Sequence, residues 1–76
     1  MQIGKYYRHK IYHTFIKIES VDEKYPTGIH FYKNDVGCVG MGDSKVFNTD
    51  DYVEITKEEF QQEQKKIEQT ILLRLL

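Results

Sequence analysis

The sequence predicts an α+β fold that is mainly β: five short antiparallel strands followed by one long C-terminal α-helix. Two observations lead to this prediction. Between Ile3 and Ile55 the apolar residues follow no helical period, and aromatic and β-branched residues fall into short runs bounded by turn formers. From Thr56 onward the chain contains no glycine or proline, and its apolar residues recur at helical spacing. The 76 residues predict one domain, with the sheet in residues 1–55 and the helix in residues 56–76.

Turn-forming residues separate the predicted strands. Asp22 to Gly28 is predicted as a loop, because proline has no amide donor for a strand ladder and glycine permits positive φ. Asn34 and Asp35 predict a tight hairpin turn, since both residues tolerate left-handed backbone conformations. The strands between these turns cover residues 3–8, 11–21, 29–32, 36–42 and 52–55.

The predicted fourth strand is rich in glycine and contains Gly37, Gly40 and Gly42. Because glycine weakens a strand entropically, these residues predict bulges and a sharp bend by which a small sheet curls. A phosphate-binding loop is the alternative interpretation. That loop requires Gly-Lys-Ser/Thr at the start of a helix, whereas Gly42 continues into Asp43 and a strand-like run. Nucleotide binding is therefore not expected.

Thr56 marks the start of the helix. Glu59 follows three residues later and completes a capping box, in which the hydroxyl and the carboxylate pair with backbone donors left free at the helix start. Ile55 before the cap and Phe60 at the fourth helical position form a hydrophobic staple. At about 100° per residue, one apolar stripe is expected to lie on the sheet, and it consists of Phe60, Ile67, Ile71 and Leu75.

The end of the helix carries more leucines than one sheet surface buries. Leu72, Leu73 and Leu76 lie about 100° or more from the centre of the stripe. Leaving these three leucines in water forgoes about 5 to 9 kcal/mol, which is comparable with the whole stability of a typical domain. We expect a second copy, giving a homodimer, or another protein to cover them. The alternative is that residues 1–55 form a small barrel and the helix bends back so that its leucines cap the open end of that barrel.

The first 18 residues carry four basic side chains and no acidic one, although the net charge of the chain is -1. Aromatic residues are interleaved with these bases, a pattern that suits phosphates through charge and nucleic-acid bases through stacking. The ordinary interpretation is that the rings pack inward and the bases point to water, as in any alternating strand. The candidate surface for a partner or for nucleic acid consists of Lys5, Tyr7, Arg8, His9, Lys10, Tyr12 and His13.

No set of residues predicts a reaction. The three histidines and the one cysteine supply the ligand types of a zinc site, but their spacing matches no zinc-binding pattern. Asp50 and Asp51 point to opposite sides of an extended chain, and such pairs more often serve a turn than acid–base chemistry. We expect a protein that is not an enzyme and that uses no cofactor, no metal and no small-molecule substrate.

Cys38 is the only cysteine, so an internal disulfide is excluded and a reducing, cytoplasmic setting is expected. The apolar run from Ile71 to Leu76 is far shorter than the roughly 20 residues of a membrane-spanning helix. The sequence therefore predicts a cytoplasmic protein without a membrane span.

Five short strands, a glycine-bent fourth strand and a brief turn before a very short fifth strand resemble the SH3-like barrel group, which includes Tudor-type and related small barrels. The resemblance covers about residues 2–55 and implies a five-stranded antiparallel SH3-like barrel followed by the C-terminal helix. It also implies a binding module without catalysis. Members that bind proline-rich peptides open their third strand with a tryptophan, which this chain lacks. The run from Tyr52 to Phe60 also resembles small phage and mobile-element proteins of unknown role.

The predicted function is a non-enzymatic protein-interaction module that acts as a homodimer or through docking of its helix, in roles such as an adaptor or a phage-type inhibitor. The alternative is a single-stranded nucleic-acid-binding small barrel, in which Lys5, Arg8 and Lys10 contact phosphates while Tyr7 and Tyr12 stack on bases. A third hypothesis is a small regulator whose partner carries the activity.

Overall fold

Five strands and one long helix make up the structure, a computed structural model that describes residues 1–76. The helix α1 spans Lys57–Leu75, and a 3₁₀ turn at Thr49–Asp51 precedes the last strand. Neighbouring strands are antiparallel in the order β4-β3-β2-β1-β5. The predicted α+β fold, mainly β with five antiparallel strands and one C-terminal helix, is confirmed. The strands are β1 (Tyr6–His9), β2 (His13–Asp22), β3 (Tyr25–Lys33), β4 (Val39–Lys45) and β5 (Tyr52–Ile55).

The sheet is open, since β4 and β5 form its two edges and no ladder joins them. Its one register shift lies in β2, between Ile18 and Ser20, whereas β4 pairs with β3 continuously. The prediction of bulges at the glycines of the fourth strand is therefore wrong. Gly40 has a different role, because the ring of Tyr32 lies over it and an added Cβ would come within 2.5 Å of the tyrosine hydroxyl.

The third strand begins earlier than the sequence predicted. The turn between β2 and β3 consists of Glu23 and Lys24 alone, with Glu23 in the left-handed region at a φ of 59°. Pro26 is compatible with β3 because it contributes its carbonyl oxygen, which accepts a hydrogen bond from the amide of Val46 at 2.8 Å. The predicted loop from Asp22 to Gly28 is wrong, and most of it belongs to the β2–β3 ladder.

The turn between β3 and β4 is longer than the predicted two residues. The side-chain oxygen of Asn34 accepts hydrogen bonds from the amides of Val36 at 3.1 Å and of Cys38 at 2.9 Å. Gly37 supplies the positive φ, at 83°, that this turn requires. The turn therefore extends from Asn34 to Cys38, and β4 starts only at Val39.

Alternation in β2 places apolar side chains on both faces of the sheet. Phe15 faces α1, whereas Ile16 and Ile18 are completely buried on the opposite face. The layer away from α1 contains Tyr7, Ile16, Ile18 and Val46, with Met1 and Tyr52 packed against it. The layer between the sheet and α1 contains Phe15 and Phe31 of the sheet and Phe60 and Ile67 of α1. The residues packed against this layer are Tyr6, Val39, Ile55 and Ile71.

α1 starts where the sequence predicted, after Thr56, but only the hydroxyl half of the predicted capping box forms a hydrogen bond. The hydroxyl of Thr56 accepts a hydrogen bond from the amide of Glu59 at 3.1 Å, and Ile55 packs in the same layer as Phe60. The Phe60 ring contacts Tyr6 and Phe31 at centroid distances of 4.8 and 4.9 Å. These contacts fix how the chain passes from β5 into the helix.

His30 lies half-buried on the face of the sheet away from α1, and its Nδ1 has no hydrogen-bond partner. The residues paired with it in the neighbouring strands, Ile16 and Gly42, carry no charge. Burial lowers the pKa of His30 below its ordinary value of 6.5. The folded protein therefore prefers the neutral imidazole.

Acidification is expected to destabilise the protein through His30. The unfolded chain takes up a proton on this residue at a higher pH than the folded chain does, so stability is full above about pH 6.5 and falls as the pH drops below it. Urea unfolding at about pH 7.5 and about pH 5 measures this loss. The variant His30→Gln should lose less stability over the same range, and an identical loss in both proteins would exclude His30 as the cause.

Candidate functional site

The loop between β1 and β2 is held in place by His9. Its Nδ1 accepts hydrogen bonds from the amides of Ile11 at 3.1 Å and of Tyr12 at 3.2 Å. Because Nδ1 is an acceptor, the ring proton lies on Nε2, which is 3.9 Å from an oxygen of Asp51. The amide of Lys10 also donates to the Asp51 carbonyl at 2.7 Å. The loop is therefore ordered, and its tip presents Ile11 and Tyr12 to solvent, 78% and 65% exposed.

Aromatic rings pack against His9 at the base of this loop. The His9 ring packs against Tyr12 and Tyr52 at centroid distances of 4.9 and 5.1 Å. Burial, and to a lesser extent the negative charge of Asp51, raises the pKa of Tyr52 above its ordinary value of 10. The Tyr52 phenol thus stays protonated at neutral pH, and the aromatic cluster presents no negative ring to a ligand.

Tyr7 does not belong to the exposed surface that the sequence predicted. It is only 7% exposed, packs with Ile16 and Ile18, and accepts a hydrogen bond on its hydroxyl from the amide of Gln2 at 2.9 Å. Alternation along β1 explains this position, since Tyr7 faces the buried layer while Arg8 faces the other way. The prediction that Tyr7 stacks on a ligand is wrong.

The other predicted residues separate into two neighbouring depressions. Lys5 lies in a depression of about 600 Å³ along the β5 edge. A second depression of about 560 Å³ lies between the β1–β2 loop and α1. Arg8 lines both of them. The predicted residues in the second depression are Arg8, His9, Lys10, Tyr12 and His13.

The structure adds acidic residues to this second depression. Glu59 and Glu63 of α1 line it together with Arg8, Lys10 and His13. Carboxylates beside basic groups repel phosphates, so the depression suits a polypeptide of mixed charge better than a nucleic-acid backbone. The sequence does not show these acids as neighbours of the basic stretch, because they lie about 50 residues downstream and only the packing of α1 brings the two together.

The end of α1 is the most apolar exposed region of the chain. Phe60 and Ile67 are buried and Ile71 is half-buried, but the four leucines that follow are exposed. This leucine end consists of Leu72, Leu73, Leu75 and Leu76, which are 61%, 71%, 78% and 100% exposed. Leu72, Leu73 and Leu76 are thus left uncovered by the sheet.

Leu75 was predicted to lie on the sheet, and this prediction is wrong. It continues the stripe of Phe60, Ile67 and Ile71, but the sheet surface ends before it. Near the end of α1 the Arg74 guanidinium donates a hydrogen bond to the Gly37 carbonyl in the β3–β4 turn at 3.0 Å. The leucine end is therefore exposed on a helix that Phe60 and Ile67 attach to the sheet, and Arg74 adds one hydrogen bond to the β3–β4 turn.

The groups that carry chemistry in other proteins are dispersed in this chain. No three His, Cys, Asp or Glu side chains lie close enough together to hold a metal ion. Cys38 is exposed and unpaired in the β3–β4 turn. The chain has no helix that combines the length and the apolar character needed to cross a membrane.

Comparison of the chain with known protein families, curated proteins and solved structures finds no match. The geometry of the site offers an exposed apolar helix end and a depression of mixed charge. Both are features of surfaces that bind proteins.

Proposed function

We propose that this chain is a non-enzymatic protein-interaction module whose leucine end docks in an apolar groove of another protein. The observation that carries the proposal is the exposure of four leucines in one short helical segment. Single exposed apolar residues are common on protein surfaces, but a contiguous group of them marks a site of contact. An adaptor or an inhibitor of its partner fits this description.

The area of the leucine end favours a groove over the leucine end of a second copy. Burying one leucine contributes about 1.5 to 3 kcal/mol, which at about 25 cal/mol per Å² corresponds to about 60 to 120 Å². Four leucines supply about 240 to 480 Å², whereas a stable interface buries about 800 Å² on each partner. Two leucine ends packed on each other therefore fall short. A groove encloses the helix and adds contacts along its sides.

The distribution of the leucines around α1 also favours a groove over a second leucine end. At 3.6 residues per turn they occupy an arc about 160° wide, beginning near the buried stripe and ending on the far side of the helix. A single neighbouring helix covers a narrower arc, of the kind seen in two-stranded packing. The hydrogen bond from Arg74 to the β3–β4 turn restrains the helix end, which reduces the motion lost when a partner binds.

We further propose that the sheet is a module of the SH3-like barrel group. The antiparallel order of the five strands and the 3₁₀ turn at Thr49–Asp51 before a four-residue β5 support this assignment. Binding through an appended helix would leave the sheet to act as the support that orients it.

Replacing Leu72 and Leu76 with lysine is expected to abolish partner binding without unfolding the protein. Both side chains are exposed, and cations are favoured near a helix C-terminus, so the stability should change by no more than about 0.5 kcal/mol. The dissociation constant should rise about a hundredfold or more, at about tenfold per leucine. Affinity capture from the native cell with mass spectrometry identifies the partner, and titration with the purified partner measures the change.

The matched control is Ile3→Lys, which removes an apolar side chain as exposed as Leu72 (62% against 61%) from a position outside both depressions. It should leave partner binding intact. Equal affinity of the wild type and the Leu72→Lys/Leu76→Lys variant would exclude the leucine end as the binding surface.

Single-stranded nucleic acid is the second candidate ligand, favoured by the exposed Tyr12 ring beside Arg8 and Lys10 at an ordered loop tip. We rank it below protein binding because Glu59 and Glu63 line the same depression and Tyr7 is buried. Titration with a labelled oligonucleotide at low salt separates the two, since binding that weakens steeply with salt would favour the nucleic acid.

A further inference from the structure

β4 presents a free strand edge. The amide of Val46 donates to the Pro26 carbonyl, and in the same register Lys45 lies opposite Thr27. Because alternate residues of an antiparallel strand point their backbone groups to opposite sides, Gly40, Gly42 and Ser44 pair with β3. The backbone N–H and C=O groups that point out of the sheet belong to Val39, Met41, Asp43 and Lys45.

Every second side chain from Met41 to Phe47 gives the order apolar, acidic, basic, apolar. Met41 is 45% exposed and Phe47 is 72% exposed, and Asp43 and Lys45 lie between them. The ammonium group of Lys45 is held by Asp22 at 2.7 Å. An edge strand that carries charges resists pairing with strands of unrelated sequence. A strand whose charges are complementary to those of β4 can still pair with it.

The sequence of β4 matches itself in one antiparallel register. Pairing centred on Ser44 places Asp43 opposite Lys45 of a second copy, on both sides of the two-fold axis, and opposite charges across strands attract. Pairing centred on Asp43 would oppose two aspartates. Pairing centred on Gly42 would place Asp43 opposite Met41. All three registers bring outward-pointing backbone groups into hydrogen-bonding pairs, so the charges of the side chains select the register centred on Ser44.

The same register provides a place for Phe47. Phe47 lies two residues beyond the end of β4, at a bend, and continuing the register brings it near Met41 of the second copy. Met41 borders a cleft of about 330 Å³ between the sheet and α1. The cleft is open and has a mixed lining, in which Ile29, Phe31 and Phe60 supply apolar surface. Phe47 is oriented by its contact with the Tyr25 ring, at a centroid distance of 5.0 Å.

We propose that β4 pairs with β4 of a second copy in the register centred on Ser44, which joins two five-stranded sheets into one. The near-neutral net charge of -1 lets two copies approach without long-range repulsion. The dimer uses the sheet edge and leaves both leucine ends free. Along the strand direction the two β3–β4 turns, and the helix ends attached to them, lie about 45 Å apart. This surface is independent of the leucine end and of its proposed function.

Charge reversal tests the register. Sedimentation of the full chain from micromolar to near-millimolar concentration should show a dimer, and Asp43→Lys should raise its dissociation constant about tenfold or more, because two attractive pairs become repulsive. Lys45→Asp should do the same. An equimolar mixture of the two variants should dimerise again, because their charges match across the interface. A thermal melt of each variant checks that it is folded.

Cysteine cross-linking tests the two-fold axis. In the register proposed, Ser44 meets Ser44 of the second copy at a non-hydrogen-bonded position with a Cα separation of about 4.5 Å, which suits a disulfide. In a Cys38→Ser background, Ser44→Cys should form a covalent dimer with oxidised glutathione, whereas Asn48→Cys should not. The proposal is overturned by a monomer at every concentration, by a dimer that Asp43→Lys leaves unchanged, or by equal cross-linking of the two cysteine variants.

The leucine variant keeps this test separate from the proposed function. Leu72→Lys/Leu76→Lys should dimerise with the same affinity as the wild type, because the leucine end lies outside the β4 edge. If that variant is monomeric while Asp43→Lys still dimerises, self-association belongs to the leucine end and the β4 interface is excluded.

Discussion

Replacing Gly28 with alanine is expected to abolish the folded state. A Cβ at this position would fall on the carbonyl oxygen of Lys17, would lie 2.8 Å from the Lys17 carbonyl carbon, and would come within 3.1 Å of the Ile18 Cα. All three atoms are backbone, so no side chain can move aside. β2 and β3 would have to separate at the centre of the sheet, next to the register shift after Ile18.

The expected loss for Gly28→Ala is about 4 kcal/mol or more, in the range that only severe steric or core defects produce. A domain of 76 residues has a total stability of about 4 to 11 kcal/mol at the usual value per residue. Urea unfolding followed by circular dichroism measures the change, and a fully unfolded variant at 25 °C is within the expectation.

Gly42→Ala is the matched control for Gly28→Ala. Both glycines lie in the sheet with ordinary negative φ, but a Cβ at Gly42 meets no atom within 4 Å. Its effect should stay within about 1 kcal/mol, since alanine is only slightly better or worse than glycine in a strand. If the two alanine variants are equally stable, close approach of β2 is not the reason for glycine at position 28.

The local signals in the sequence predicted the elements that depend on neighbouring residues. The cap at Thr56 and the staple between Ile55 and Phe60 act within one turn of helix, so the start of α1 was predictable to the residue. The exposure of Leu72, Leu73 and Leu76 followed from helical spacing alone. Leu75 was misplaced because spacing gives the direction of a side chain but not where the opposing sheet ends.

Long-range contacts account for the features that the sequence did not predict. Gly28 is a turn former by composition, yet it lies inside β3 because the β2 backbone approaches it, which no local pattern records. Pro26 favoured the prediction of a loop, but its carbonyl accepts a hydrogen bond from the amide of Val46, some 20 residues away, and fits in β3. The acids opposite Arg8 and the free edge of β4 likewise depend on how distant segments pack.

Replacing Phe60 with alanine is expected to destabilise the whole protein and not only the helix. Phe60 is 6% exposed and is one of only two buried side chains of α1, with its ring against Tyr6 and Phe31. Truncating a buried phenylalanine costs about 3 to 5 kcal/mol through lost apolar burial and the cavity left behind. Because Phe15 and Phe31 share the layer with Phe60, detachment of α1 would expose them to water.

One cooperative transition should therefore remain in Phe60→Ala, shifted to lower urea concentration and seen alike by far-ultraviolet circular dichroism and by tyrosine fluorescence. Phe60→Leu keeps most of the apolar volume and should lose only about 1 kcal/mol, and Gln69→Ala on the exposed side of α1 should be neutral. Loss of the helical signal with an unchanged transition of the sheet would show that α1 is an independent appendage. In that case the sheet would not orient the leucine end, and the support that we propose for partner binding would be lost with it.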